Sequence, residues 1–354
     1  MRSGGAADPP VTARSRVRKG TAMITTQLAV ASCVAVALGG GLTAGVLARQ
    51  TESPDVERHV AAAREAAGTE HTRFFDYLCR APRRPAARPA ASRPPAQPTR
   101  RQPPPQSEWY AEPAKVFDNL YFLGTRSLNA WALTTSGGIV IIDPLYDYNV
   151  EAEIIEGLRT LGLDPADITH VLVSHGHGDH YGGAQQLQRQ FGASVLLSAP
   201  DWDMMLANPG RQPQPTRDIE VTDGQQLSVG DTQLTFTLTP GHTPGTISTL
   251  VPVRDGGRSH IAALWGGTAM RHTEEFYTQY IAGAQTFAAM AADAGADVVI
   301  SNHAIFDRAD EKIEALARRD AGDPHPFVIG EAATQNMFEM IQHCAQAGLA
   351  RLAQ

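Results

Sequence analysis

Six consecutive residues, His175-Gly176-His177-Gly178-Asp179-His180, constrain this chain more than any other segment. They place four metal-binding side chains between the apolar run Val171-Leu172-Val173 and Tyr181-Gly182-Gly183, which reads as a loop at the C-terminal end of a buried strand. A lone His-x-His is an ordinary polar loop, whereas adding Asp179 and a third histidine within six residues concentrates ligands in a way that surface loops do not need. In an extended loop, residues two apart point the same way. His175 and His177 are therefore expected to reach one cation, with Asp179 and His180 favouring a neighbouring position. Imidazole and carboxylate donors suit Zn²⁺, with iron or manganese admitted, and no cysteine lies nearby to supply thiolate.

Six residues cannot close two metal sites, so further ligands must come from elsewhere. His242 sits in Thr239-Pro240-Gly241-His242-Thr243-Pro244-Gly245, a turn-forming stretch after the alternating segment Gln233 to Leu238. His303 follows the apolar run Val298-Val299-Ile300 in Ser301-Asn302-His303. All three clusters fall just past strand ends.

Together with Gly138-Ile139-Val140-Ile141-Ile142-Asp143, these motifs resemble the metallo-β-lactamase-fold hydrolase superfamily over roughly Trp109 to Ala347. The resemblance implies an α/β protein, an αββα four-layer sandwich of two mixed sheets with outer helices, carrying two Zn²⁺ ions at one edge. It implies His175, His177 and His242 around the first ion and Asp179, His180 and His303 around the second. One departure is informative. Relatives such as lactonases and thioesterases place a bridging Asp after the strand corresponding to Ile261–Trp265, and some β-lactamases place a Cys there. This chain reads Trp265-Gly266-Gly267-Thr268-Ala269-Met270. A three-histidine site beside an Asp-His-His site is similar to the third subclass of metallo-β-lactamases. Thr268 stands near the position where that subclass uses hydroxyls to hold substrate, and is the candidate substrate-binding residue.

The expected reaction is hydrolysis of a lactam, amide or related ester carbonyl. Zn²⁺ lowers the pKa of a bound water to about 7, which supplies hydroxide at neutral pH without a strong base. Asp179 is the catalytic candidate, binding metal and orienting that nucleophile. A lactonase or thioesterase of the same superfamily, iron-dependent persulfide oxidation, and a non-catalytic binding module are the competing readings. His170, His260, His272, His325 and His343 lack the motif context and are read as non-ligands. Trp131, Trp202 and Trp265 read as core or rim aromatics, and Tyr181 as packing under the metal loop.

Outside the motif region, composition changes abruptly near Ser107. Residues 80–106 are rich in Pro, Arg and Ala, which cannot build a packed core, and read as a disordered linker. Residues 107–354 form the catalytic domain, and 49–79 a short helical N-terminal segment. Upstream, Leu28 to Ala48 is a charge-free apolar run behind the basic Arg14-Ser15-Arg16-Val17-Arg18-Lys19. Residues 1–48 accordingly read as a signal peptide or membrane-anchor segment. Cleavage before Arg49, retention as an anchor, a lipobox at Cys33 and a start at Met23 remain open. The expected location is periplasmic or secreted, with membrane attachment only through an unprocessed N-terminus. Removing the leader leaves Cys79 and Cys344, a pair that an oxidising compartment would join.

Charge bears on partners. The first 106 residues hold 16 of the 30 Lys+Arg and 7 of the 37 Asp+Glu, so residues 107–354 carry a formal net charge of −16. Two Zn²⁺ ions offset only part of that. Nucleic-acid binding depends on neutralising phosphates, so a small-molecule substrate is expected and no nucleic acid. Periodicity places strands at 116–122, 130–135, 138–142, 169–174, 194–197, 226–229, 233–238, 246–251 and 261–265, and helices at 150–161, 183–191, 274–294, 308–319 and 331–347.

Overall fold

A computed structural model describes residues 52–80, 102–209 and 212–354. The expected leader and most of the expected linker lie outside these residues.

Two sheets form the centre. The first runs β1 (Ala114–Lys115), β2 (Leu120–Phe122), β3 (Trp131–Thr135), β4 (Gly138–Ile142), β5 (Ile168–Leu172), β6 (Ser194–Ser198) and β7 (Ile219–Val221), in that spatial order. Its first four strands are antiparallel neighbours, and β4 to β7 are parallel. The second contains β8 (Gln226–Val229), β9 (Thr232–Leu238), β10 (Ile247–Asp255), β11 (Arg258–Leu264) and β12 (Val298–Ile300), with β12 parallel to β11 and the rest antiparallel.

Alternation along each strand builds four layers. Val140 and Ile142 of β4 face Phe236, Val251 and Leu264 of the other sheet in the central core, while Ile139 and Ile141 point outward to the helical layer with Ile154, Leu158, Leu187 and Trp202. The opposite outer layer is built on Leu250, Ala263 and Val299 and covered by the helices Glu274–Asp293 and Glu331–Leu352. The helix Pro54–Ala67 packs on the C-terminal helix through Ala63, Ala66 and Ala67. The short helix Thr72–Leu78 ends at Cys79, which is disulfide-bonded to Cys344. This is the αββα sandwich anticipated above, with Trp131, Trp202, Trp265 and Tyr181 buried in it.

Several expected elements differ. The expected strand 116–122 is broken, because the amides of Val116 and Phe117 both turn back to Leu120 O at 2.9 Å. The expected helix 150–161 opens with a π-helical turn, Glu151–Ile155. The expected helix 308–319 is the shorter Ala309–Leu316, and an unexpected helical turn, Ala304–Asp307, precedes it across Arg308 in the left-handed region (φ 59°). The metal loop is not extended as expected: residues 174–177 bend, His177 N–H donating to His175 O at 3.0 Å, and the chain then coils into a helical turn, Gly178–Tyr181. The helix Ala199–Leu206 and strand β7 carry no strong periodic signal and were not anticipated.

Candidate metal centre

Every ligand candidate lies past the C-terminal end of a strand: His175 to His180 after β5, His242 after β9 and His303 after β12. Since β4 and β5 are parallel, and β9, β11 and β12 share one direction, these ends gather at one edge of the sandwich. Backbone bonds stitch the two sheets together there. Ile247 N–H donates to Ser174 O at 2.8 Å and Asn129 N–H to Asn302 O at 2.9 Å.

Two groups of side chains result. His175, His177 and His242 form one and Asp179, His180 and His303 the other, each with its donor atoms within 4.8 Å of one another. In the first, His242 Nε2 lies 3.0 Å from His177 Nδ1 and 3.1 Å from His175 Nε2. Three ring nitrogens at this spacing match the edge of a tetrahedral Zn²⁺ site, about 3.3 Å for Zn–N bonds near 2.05 Å. The other ring nitrogens fix the tautomers. His175 Nδ1–H donates to Gly266 O at 2.9 Å and His242 Nδ1–H to Ala269 O at 2.5 Å, leaving each Nε2 lone pair toward the shared point. Burial, with the neighbouring histidines, lowers the His175 pKa well below its usual value and that of His242 to about 3, so both rings are neutral imidazoles.

The second group is held by a carboxylate that sequence reasoning quoted without assigning a role. Asp143, at the end of β4, is buried with φ 57°, a conformation Asp tolerates better than most residues. Its side chain accepts from Ser174 N (2.6 Å), Ser174 Oγ (2.7 Å) and His180 Nδ1 (2.9 Å). His180 Nε2 is thereby turned into the cleft, where it is buried without a hydrogen-bond partner, 3.4 Å from Asp179 Oδ2. Burial opposes a proton on His180, yet the carboxylates of Asp179 and Asp143 raise its pKa to about 10. Asp179 is held well below the usual carboxylate range, His180 and His303 outweighing the opposing effect of burial. A buried imidazole nitrogen without a hydrogen-bond partner, facing a half-buried carboxylate, is what a bound cation would satisfy, so these residues fit the ions implied by the sequence.

A second unassigned carboxylate joins the two metal loops. Asp201, fully buried, accepts from Gly176 N (2.8 Å) in the first loop and from Gly245 N (2.7 Å) and Thr243 Oγ (2.7 Å) in the second. It lies at the start of the unanticipated helix Ala199–Leu206, where its role had no sequence signal. Asn302 Nδ2, next to His303, donates to Ser174 Oγ (3.1 Å) and Gly266 O (2.9 Å). Glycine is needed at Gly267, where an added Cβ would lie 2.5 Å from His242 Cβ.

All six ligand candidates line one cleft of about 260 Å³, together with Thr268, Ala269, Tyr77, Ile305 and Phe306. Thr268 is thus among the cleft's lining residues. The histidines set aside as non-ligands have other partners: His260 with Asp297, His272 with Tyr277, His325 with Val116 O, His343 with His59 and Gln346, and His170 with Thr169.

Fold and site together place two groups of candidate metal ligands at the edge of an αββα sandwich. Residues 123–255 match the family model of the Metallo-beta-lactamase superfamily, and the chain carries a domain of that superfamily. Among solved structures, it is similar to the FEZ-1 metallo-beta-lactamase of Legionella gormanii (24% identity, TM-score 0.58, 64% of this chain and 91% of that one). It is also similar to BJP-1, a subclass B3 metallo-beta-lactamase of Bradyrhizobium japonicum (25%, TM-score 0.53, 64% and 89%). A hydroxyacylglutathione hydrolase of Acidiphilium cryptum is 27% identical over 201 residues, 54% of this chain and 73% of that protein. Across the first three curated relatives the matches span between 38% and 73% of their length.

Proposed function

We propose that this chain is a zinc-dependent hydrolase that cleaves a lactam, amide or related ester bond of a small molecule. The observation that carries this is the convergence of two three-ligand groups on one cleft. Zn²⁺ bound there would supply Lewis acidity toward the scissile carbonyl and water that is ionised near neutral pH. The protein's part is positional. Asp179 accepts a hydrogen bond from the attacking water and holds its lone pair toward the carbonyl carbon, while Asp143, Gly266 O and Ala269 O keep the imidazoles in the tautomers that point inward. Thr268 Oγ donates to a polar group of the substrate.

Thioester hydrolysis is the second reading, favoured by the hydroxyacylglutathione hydrolase relatives. A segment 265–270 with neither Asp nor Cys favours the lactam or amide reading instead. Turnover of β-lactam, lactone and thioester substrates by the zinc-loaded protein separates the two. A preference for the β-lactams supports the first reading, and a preference for thioesters replaces it.

Export belongs to the same proposal. The basic flank and apolar run ahead of residue 49, together with the Cys79–Cys344 disulfide, support a periplasmic or secreted enzyme. Mapping the N-terminus of protein recovered outside the cytoplasm tests it, with a start near Arg49 expected and an intact leader contradicting cleavage.

A further inference from the structure

The cleft has one wall that metal chemistry does not require. Among the described residues the exposed large apolar side chains are Tyr77 (44%), Leu206 (39%), Ile305 (45%) and Leu352 (46%), and two of these four, Tyr77 and Ile305, line this one small cleft. Singly exposed apolar residues are ordinary on a protein surface, but two lining a cavity that also holds all six ligand candidates are a binding feature. We propose that Tyr77 and Ile305, backed by Phe306, receive a planar apolar substituent carried beside the scissile carbonyl. The substrate class is thereby narrowed to carbonyl compounds bearing an aryl or similar flat apolar group. This rests on the hydrolase reading above.

Tyr77 is fixed in place rather than merely nearby. Its ring meets Phe306 edge-on at 4.9 Å, and Phe306 packs on Phe74 of the same short helix at 4.7 Å. That helix is held at its C-terminal end by the Cys79–Cys344 disulfide and near its start by Arg73, which pairs with Asp310 at 3.0 Å and with Glu311. A wall held from three sides needs little ordering when a ligand arrives, so its contacts appear as affinity. Its position also sets what it touches. Phe306 lies 5.6 Å, centroid to centroid, from the His303 ring, so a group resting on the wall is within one ring's width of the metal-ligating side chains. The N-terminal segment thus gives the superfamily domain a recognition residue from outside residues 123–255.

The test compares acetohydroxamate with phenylacetohydroxamate, which share a metal-binding head and differ by one phenyl ring. Calorimetric titration of each into the zinc-loaded protein measures binding without turnover. The wild type is expected to favour the phenyl compound, and Tyr77→Ala to shrink that preference roughly two- to tenfold, the range of one aromatic contact. Tyr77→Phe should retain it. Ile305→Ala should reduce it as well, and gives the reading if Tyr77→Ala fails to fold. A wild type that binds both compounds equally, or variants that keep the full preference, overturns the wall and leaves the metal centre standing. A wild type that binds neither removes the metal-centred reading and the wall together.

Discussion

Asp179 and Asp143 both act on His180, but from opposite sides and to different ends. Asp143 fixes the ring through Nδ1, whereas Asp179 faces Nε2 and the cleft. Asp179→Asn keeps size and one oxygen while losing the charge, so turnover should fall by about 10² to 10⁴, with zinc at the three-histidine group retained. Excess zinc should not restore it. Recovery of wild-type turnover in excess zinc would show that Asp179 only binds metal. A different carboxyl governs stability. Glu153 is buried, with Oε1 accepting from Ala111 N at 3.2 Å and Oε2 without a partner. Burial pushes its pKa up to about 8, the Ala111 amide opposing the shift and Glu112 adding to it. In the unfolded chain the same carboxyl ionises near its usual 4.5. Between these values the folded state binds more protons, so this contribution to stability is full below about pH 4.5 and is lost as pH rises toward 8. Glu153→Gln should flatten the fall in unfolding free energy between pH 5 and 8. An unchanged difference from wild type across that window would show that Glu153 ionises normally.

At the scale of elements, the loops carry the chemistry and the strands aim them. The ligands were legible because each follows an apolar or alternating run, and β3, β4, β6, β8 and β9 fall within a residue or two of the segments expected for them. What could not be read were contacts between loops distant in sequence. Asp201 illustrates this, since its three hydrogen bonds join loops at 176 and 243–245 and no local pattern marks it. The break at 116–119 was hidden for a related reason: Val116 and Phe117 are apolar because they fill the central core from a turn, not because they continue a strand. Asp201→Ala should leave the buried amides of Gly176 and Gly245 without an acceptor, each costing about 1 to 3 kcal/mol, while Thr243 Oγ keeps Thr246 Oγ as partner. Stability should drop by roughly 2 kcal/mol or more, and zinc affinity at His175, His177 and His242 should weaken with it. Denaturant unfolding and metal titration measure both, and a variant that keeps both would make Asp201 a bystander.

The whole molecule is bounded by one long-range covalent tie. Cys79 and Cys344 are 265 residues apart in sequence, so their bond closes nearly the entire described chain into a loop. Such a cross-link restricts the unfolded ensemble, and its reduction should lower stability by about 2 to 5 kcal/mol. Unfolding with and without reductant measures this, and identical curves would contradict it. The pairing was visible as two leftover thiols flanking the catalytic segment, but its second consequence was not: it holds Tyr77 at the cleft. The acidic balance of residues 107–354 acts at this scale too, as a field unsuited to phosphate backbones. The central claim, that six side chains from three loops form one dizinc hydrolytic centre, is tested most directly by metal content measured alongside hydrolysis in wild type and His177→Ala. Wild type should hold close to two zinc equivalents, and the variant should lose hydrolysis and much of its zinc. Full zinc retention with normal hydrolysis in His177→Ala would contradict it.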